Sequence, residues 1–342
     1  MEPLTRRTLE MSDAAGADAT SAEFDPVPYV HPELRRYAPQ MLAMTRAPLN
    51  AQTLESTRKA ALAYALPTLP QPRWSARKIP GPPGAPELRI YVVNADTGGA
   101  PRPAILHLHG GGFVVGSGRT EIRRLQEVAK ALNCVIVSVD YRLAPETSLA
   151  GSLEDTYAGL RWLYANAEQL GADRNRIAVM GDSAGGGHAA MLALAARDRG
   201  EIPLVYQALI YPMLDERTGS IGKKPPYQGA LIWTPEKNRF GWSSLLGVFD
   251  DVSSSIQDVL PARAQNLRGL PPAFIGVGSI DLFVDEDIEY GRRLIEVGIP
   301  VTLDVVPGAF HGFDGLPPGT RVGERFRAAL IGALGAALNI SA

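Results

Sequence analysis

Residues 177–187 read IAVMGDSAGGG, and the order of residue types in that stretch decides the fold. Residues 177–180 form an apolar run of strand type. After Ser183 the chain continues AGGGHAAMLALAA, which reads as a helix. Ser183 therefore stands at the vertex of a strand–turn–helix unit, with Gly181 and Gly185 on either side. Such a turn needs glycine at both flanks because backbone segments crowd the serine's neighbours. It lifts the hydroxyl above the sheet and sets it at a helix N-terminus, where free amides and the dipole favour an anion.

Outward from this unit, short apolar runs recur at 89–93, 104–108, 134–139, 206–211, 273–278 and 301–306. Amphipathic segments separate most of them. One is 120–132, with Ile122, Leu125, Val128 and Leu132 on one face; another is 153–167, and 320–338 reads as a last helix. Apolar strands spaced by helices predict an α/β fold with a mostly parallel sheet covered on both faces. Residues 1–24 lack periodicity and read as a mobile tail, and 25–75 as a helical preface, with Leu34, Tyr37, Met41 and Met44 at helical spacing. The proline-rich stretch 67–86 reads as a connection, so that the main domain spans 76–342. Residues 213–260, carrying Trp233, Phe240, Trp242 and Phe249, break the alternation. The part at about 213–250 is expected to cover a site together with the preface.

Three further signals carry chemistry. Residues 104–113, AILHLHGGGF, end a strand in three glycines, Gly110, Gly111 and Gly112, whose amides can turn toward a developing oxyanion. Near the C-terminus His311 sits in VPGAFHGF, a loop after a strand. Of the five histidines it is the expected base: His31 has no partner motif, His107 and His109 close the strand before the glycines, and His188 lies in the helix after the serine. An acid belongs between serine and histidine in this order of parts. Asp281, just past the strand at 273–278, is the preferred residue over Asp285, which opens the next helix. Asp140, Arg142 and Glu146 read as a structural ion-pair and turn network.

Net charge is −2, with 45% hydrophobic and 20% charged residues, which gives no electrostatic case for nucleic acid. The single cysteine, Cys134, falls in an apolar run and reads as a core side chain. No secretory signal and no membrane span are expected, so the location expected is cytoplasmic. No metal or organic cofactor is called for.

Together, HGGGF from His109, GDSAGG from Gly181, the Asp281-x-x-x-Asp285-Glu286 run and His311-Gly-Phe resemble the bacterial hormone-sensitive-lipase-like carboxylesterases, the GDSAGG group, family IV. VSVDYRLAPE at 137–146 and LIYPMLD at 209–215 are similar as well. The resemblance covers about 75–338, with a weaker cap-like preface. It implies an α/β-hydrolase fold with a helical cap and a catalytic Ser183, Asp281 and His311. It further implies oxyanion donors at Gly111, Gly112 and Ala184, with His109, Gly110, Gly181, Asp182 and Gly185 supporting them. The implied partner is a small-molecule ester of short to medium acyl length; a homodimer is left open. Amide or lactone hydrolysis, and a non-catalytic ligand-binding protein on the same fold, are the competing readings. Where the family carries a Pro-Phe-Pro-like run, this chain has Ser148-Leu-Ala-Gly151, which predicts a looser loop.

Overall fold

The computed structural model describes residues 24–247, 258–316 and 320–339. The expected tail at 1–24 lies outside them except for Phe24, as does Phe249 of the aromatic insertion. Eight strands form one sheet: β1 (Trp74–Ile79), β2 (Leu88–Val93), β3 (Arg102–Leu108), β4 (Val135–Asp140), β5 (Ala172–Asp182), β6 (Tyr206–Ile210), β7 (Ala273–Gly278) and β8 (Val301–Val306). Their spatial order is β1-β2-β4-β3-β5-β6-β7-β8. The first three in that order pair antiparallel and the rest parallel.

The helices are α1 (Ala38–Arg46), α2 (Leu54–Ala63), α3 (Gly118–Leu132), α4 (Leu149–Ala165), α5 (Ala167–Leu170), α6 (Ala184–Arg199), α7 (Pro235–Leu246), α8 (Val284–Glu296) and α9 (Arg321–Ala337). Strand side chains alternate between two apolar layers. Leu106 and Val179 face α4, α6 and the Tyr290 side of α8, whereas Ile105 and Ala178 face α3 and α9. Burial on both faces explains why β3 to β7 carry apolar runs instead of alternation. Cys134 is part of this core, and burial pushes its thiol up to about 12.

The helix α3 shows how sequence sets an element's limits. The Ser117 hydroxyl accepts the Arg119 amide at 3.1 Å, capping the start, and Asn133 takes the left-handed conformation that ends it. Between them Ile122, Leu125, Val128 and Leu132 are buried at helical spacing.

Three sequence expectations need correction. The stretch 67–86 contains a strand, β1, and the expected boundary at 75/76 cuts through it. β1 is a polar edge strand, paired only with β2, and its residues 75–78 are exposed, so it has no apolar run to betray it. Residues 148–151 do not form a looser loop: Ser148 caps α4, which starts four residues earlier than its apolar face suggested. The third is the expected network at 140–146: Asp140, Arg142 and Glu146 make separate contacts, with Ser117, Asp155 and Arg58 respectively. The preface does form helices, two of them, separated at 47–53, where Pro48 follows the end of the first.

Candidate active site

All parallel strands point their C-terminal ends to one edge of the sheet, and the chemistry-bearing loops meet there. Between β5 and α6, Ser183 adopts φ 56°, ψ −121°, a strained conformation for a residue with a side chain. Its amide donates to Ile210 O at 2.8 Å, and its carbonyl accepts from the amides of Met213 and Gly187, both at 3.0 Å. These bonds hold the strain. A Cβ on Gly185 would lie 2.1 Å from Leu108 O, so only glycine lets α6 start this close to β3.

His311 lies on the loop after β8, and Asp281 on the loop after β7. The two loops are tied together: Ser279 N donates to Val306 O at 2.9 Å, and Ile280 N to Ala309 O at 3.2 Å. The result is one hydrogen-bonded row. His311 Nε2 is 2.9 Å from Ser183 Oγ, and His311 Nδ1 is 2.8 Å from Asp281 Oδ2. Asp281 is fully buried, and its Oδ1 accepts the Phe283 amide at 3.1 Å. The imidazole is enclosed by Tyr211 and Phe283, both edge-on, with ring centroids at 4.7 and 5.3 Å. Asp285, the competing acid, is exposed and pairs with Lys224 at 2.7 Å.

The glycine loop faces the serine. Gly110 passes against Asp182 and Ser183, while Gly111 and Gly112 follow with φ of 121° and 60°. Among the described residues, the amides of Gly111, Gly112 and Ala184 make no backbone hydrogen bond. Donors left free at a buried serine suit an oxygen that gains charge. His109 supports the loop from behind: its Nδ1 donates to Gly110 O at 2.8 Å, and its ring stacks on Tyr141, whose hydroxyl donates to His109 O.

Beneath the elbow is a charged cluster that sequence reasoning missed. Arg124 of α3 contacts Asp182 at 2.5 Å and Asp314 at 3.6 Å, and the Tyr211 hydroxyl donates to Asp314 at 2.7 Å. Burial alone would raise the Asp182 carboxyl, but Arg124 and His107 outweigh it and hold the group below the ordinary carboxylate value. A charge directly behind the serine is thereby fixed. Arg124 belongs to no local motif; it is one of the charged positions of the amphipathic α3, nearly two turns in from Gly118.

His188 is buried in α6 with Nε2 2.9 Å from Ser152 Oγ and Nδ1 3.3 Å from Ala184 O. Burial pushes its imidazole down from 6.5 to about 3, against the Ala184 carbonyl, which raises it. Between those two values the unfolded chain binds a proton that the folded chain does not. Stability should therefore fall as pH drops from 6.5 toward about 3, by about 1 kcal/mol per pH unit from this group. Urea unfolding of the wild type and of His188→Gln across that window tests it; parallel pH slopes would remove His188 as the cause.

Among the described residues, no group of three or more His, Cys, Asp or Glu side chains is placed to hold a metal ion. Nor is any helix among them long and apolar enough to cross a membrane.

Residues 105–315 match the family described as α/β hydrolase fold. The chain is 37% identical to the esterase LipI of Mycobacterium tuberculosis over 251 residues, 73% of this chain and 77% of that protein. Among solved structures, a bacterial heroin esterase superposes with a TM-score of 0.81 at 34% identity, covering 92% of this chain and 99% of that one. A hyperthermophilic esterase from the archaeon Pyrobaculum calidifontis gives a TM-score of 0.77 at 31% identity, covering 90% and 98%.

Proposed function

Because the chain belongs to the α/β-hydrolase fold family, among its bacterial hormone-sensitive-lipase-like carboxylesterases, we propose that it is a serine carboxylesterase acting on short- to medium-chain acyl esters. The observation that carries this reading is the row from Ser183 Oγ through His311 to Asp281, beside a glycine loop with free amides.

In this mechanism His311 takes the proton from Ser183 as the hydroxyl attacks the ester carbonyl. The amides of Gly111, Gly112 and Ala184 hold the oxyanion, and the helix terminus at Ala184 adds its dipole. His311 then returns the proton to the leaving alkoxide, and the alcohol departs. Water attacks the acyl-enzyme by the same route, with His311 again as base. Asp281 fixes the imidazole tautomer with the proton on Nδ1 and stabilises the imidazolium.

The preface and the insertion would form a cap over this site. Their contact supports it: Ile232 N donates to Thr45 Oγ1 at 2.6 Å, and Lys237 Nζ donates to Met44 O at 3.0 Å. A covered site limits chain length by sterics, although each buried methylene would otherwise contribute about 0.8 kcal/mol.

A fluorophosphonate probe should label one serine in the wild type and none in Ser183→Ala. Activity on p-nitrophenyl esters should peak at an acyl length of about two to eight carbons, beyond which the steric limit overtakes the gain per methylene. Labelling that survives Ser183→Ala overturns the mechanism; equal turnover of emulsified long-chain triglyceride overturns the chain-length limit.

A further inference from the structure

Trp233 lies in the insertion between β6 and α7, and its six-membered ring fills the space a side chain at Gly112 would take. A Cβ built there would sit 2.0 Å from Trp233 Cη2. The ring centroid is 6.4 Å from that of His311. Gly241 of α7 also approaches closely, since a Cβ on it would lie 2.6 Å from Gly112 O and 3.6 Å from Trp233 Cζ2.

The ring is held in place by a buried polar chain. Trp233 Nε1 donates to Asn238 Oδ1 at 3.1 Å, and Asn238 Nδ2 donates to Thr218 O at 2.7 Å. The Thr218 hydroxyl bonds the Glu286 carboxyl, whose other oxygen accepts the Leu214 amide at 2.8 Å. Asn238 is fully buried, and Trp233, Thr218 and Glu286 are nearly so. An indole whose nitrogen is bonded and whose six-membered ring packs against Gly112 cannot swing aside for a substrate without breaking that chain. It is a fixed wall.

We infer that Trp233 sets the size limit on the alcohol half of the ester. The inference rests on the serine-esterase reading, and follows from which group the wall adjoins. His311 protonates the leaving alkoxide, so the alcohol must lie on the imidazole's side of the scissile bond. On that side the Trp233 ring packs against Gly112 with its centroid 6.4 Å from that of His311. Asn238 is then a positioning residue, acting only through the indole.

The test compares kcat/KM for acetate esters of ethanol, 2-propanol and cyclohexanol with ethyl esters of acetic, 2-methylpropanoic and cyclohexanecarboxylic acid. Trp233→Ala should raise the cyclohexyl-to-ethyl ratio in the alcohol series by about tenfold or more, the discrimination a hydrophobic pocket ordinarily gives. The ratio in the acyl series should stay within about twofold, since that side of the pocket is unchanged. Trp233→Leu should give a smaller rise, and keeps the test decisive should the alanine variant fail to fold. Asn238→Ala should move the alcohol series in the same direction, and should add nothing in a Trp233→Ala background. An unchanged alcohol series in variants that still hydrolyse ethyl acetate would overturn the inference, and so would a shift confined to the acyl series. Failure of the underlying reading is seen separately, as hydrolysis of ethyl acetate that persists in Ser183→Ala.

Discussion

Replacing His311 by alanine is expected to lower kcat by about 10⁶, with KM little changed and the fold intact. The size of the loss follows from the position of the ring. Its Nε2 faces Ser183 and its Nδ1 faces Asp281, so in the proposed mechanism one side chain would serve as base and acid in both half-reactions. No other histidine can take over. His188 has both nitrogens engaged, by Ser152 and Ala184, and burial keeps it neutral. His109 uses Nδ1 on the Gly110 carbonyl and lies flat against Tyr141. Ser183→Ala should cost about as much, and the double variant no more than either, because the groups act as a unit. The residual rate, about 10³ over water, would come from the glycine-loop amides. Steady-state kinetics on p-nitrophenyl acetate and a thermal melt of each variant suffice. A His311→Ala enzyme within tenfold of the wild type would place the base elsewhere.

The strands that were legible in the sequence are those whose burial forces a composition. β3, β4, β6, β7 and the second half of β5 are covered on both faces, so nearly every position there must be apolar, and the runs at 104–108, 134–139, 177–180, 206–211 and 273–278 stand out. β8 is half exposed but keeps Val, Thr and Leu, which suit a pleated surface, and it too was visible. β1 was not. Its partners are all on β2, its middle residues face water, and Arg77 and Lys78 charge an edge that would otherwise invite pairing with another chain. Composition there records protection from aggregation, and that has no periodicity.

The site divides in the same way. Ser183, His311 and the glycine loop were legible because each sits in a local pattern that physics requires: a cramped turn, a glycine-flanked loop after a strand, a run without Cβ atoms. Arg124, Tyr211 and Asp314 were not, because what brings them together under the elbow is tertiary. They come from α3, the end of β6 and the loop after His311, and their mutual distances appear only when the sheet is assembled. The role proposed for Trp233 was not legible for the same reason. Its neighbour Gly112 is 121 positions away in sequence, and the missing side chain of one is the space for the other.

The acid is where sequence offered two answers, and a variant pair separates them. Asp281→Asn should lower kcat by about 10⁴. A carboxylate at 2.8 Å from Nδ1 requires the proton on that nitrogen, which leaves Nε2 free to accept from Ser183. An amide in its place can donate to Nδ1 instead, moving the ring proton to Nε2, where it faces the hydroxyl it should receive from. Loss of the negative charge also removes support for the imidazolium. Asp285→Asn should leave kcat within about twofold and cost about 1 kcal/mol or less, as for an exposed ion pair at a helix start. Its carboxylate points outward to Lys224, on the first turn of α8. Asp287, the third acidic residue of that segment, is buried, with no hydrogen-bond partner for either oxygen among the described residues. Burial first, then the charges of Glu286 and Asp281, raises its carboxyl well above the ordinary value, and it makes no hydrogen bond to His311. Kinetics and melts on Asp281→Asn and Asp285→Asn decide the matter. An active Asp281→Asn beside a dead Asp285→Asn would mean that the loop after β7 turns the other way when substrate binds.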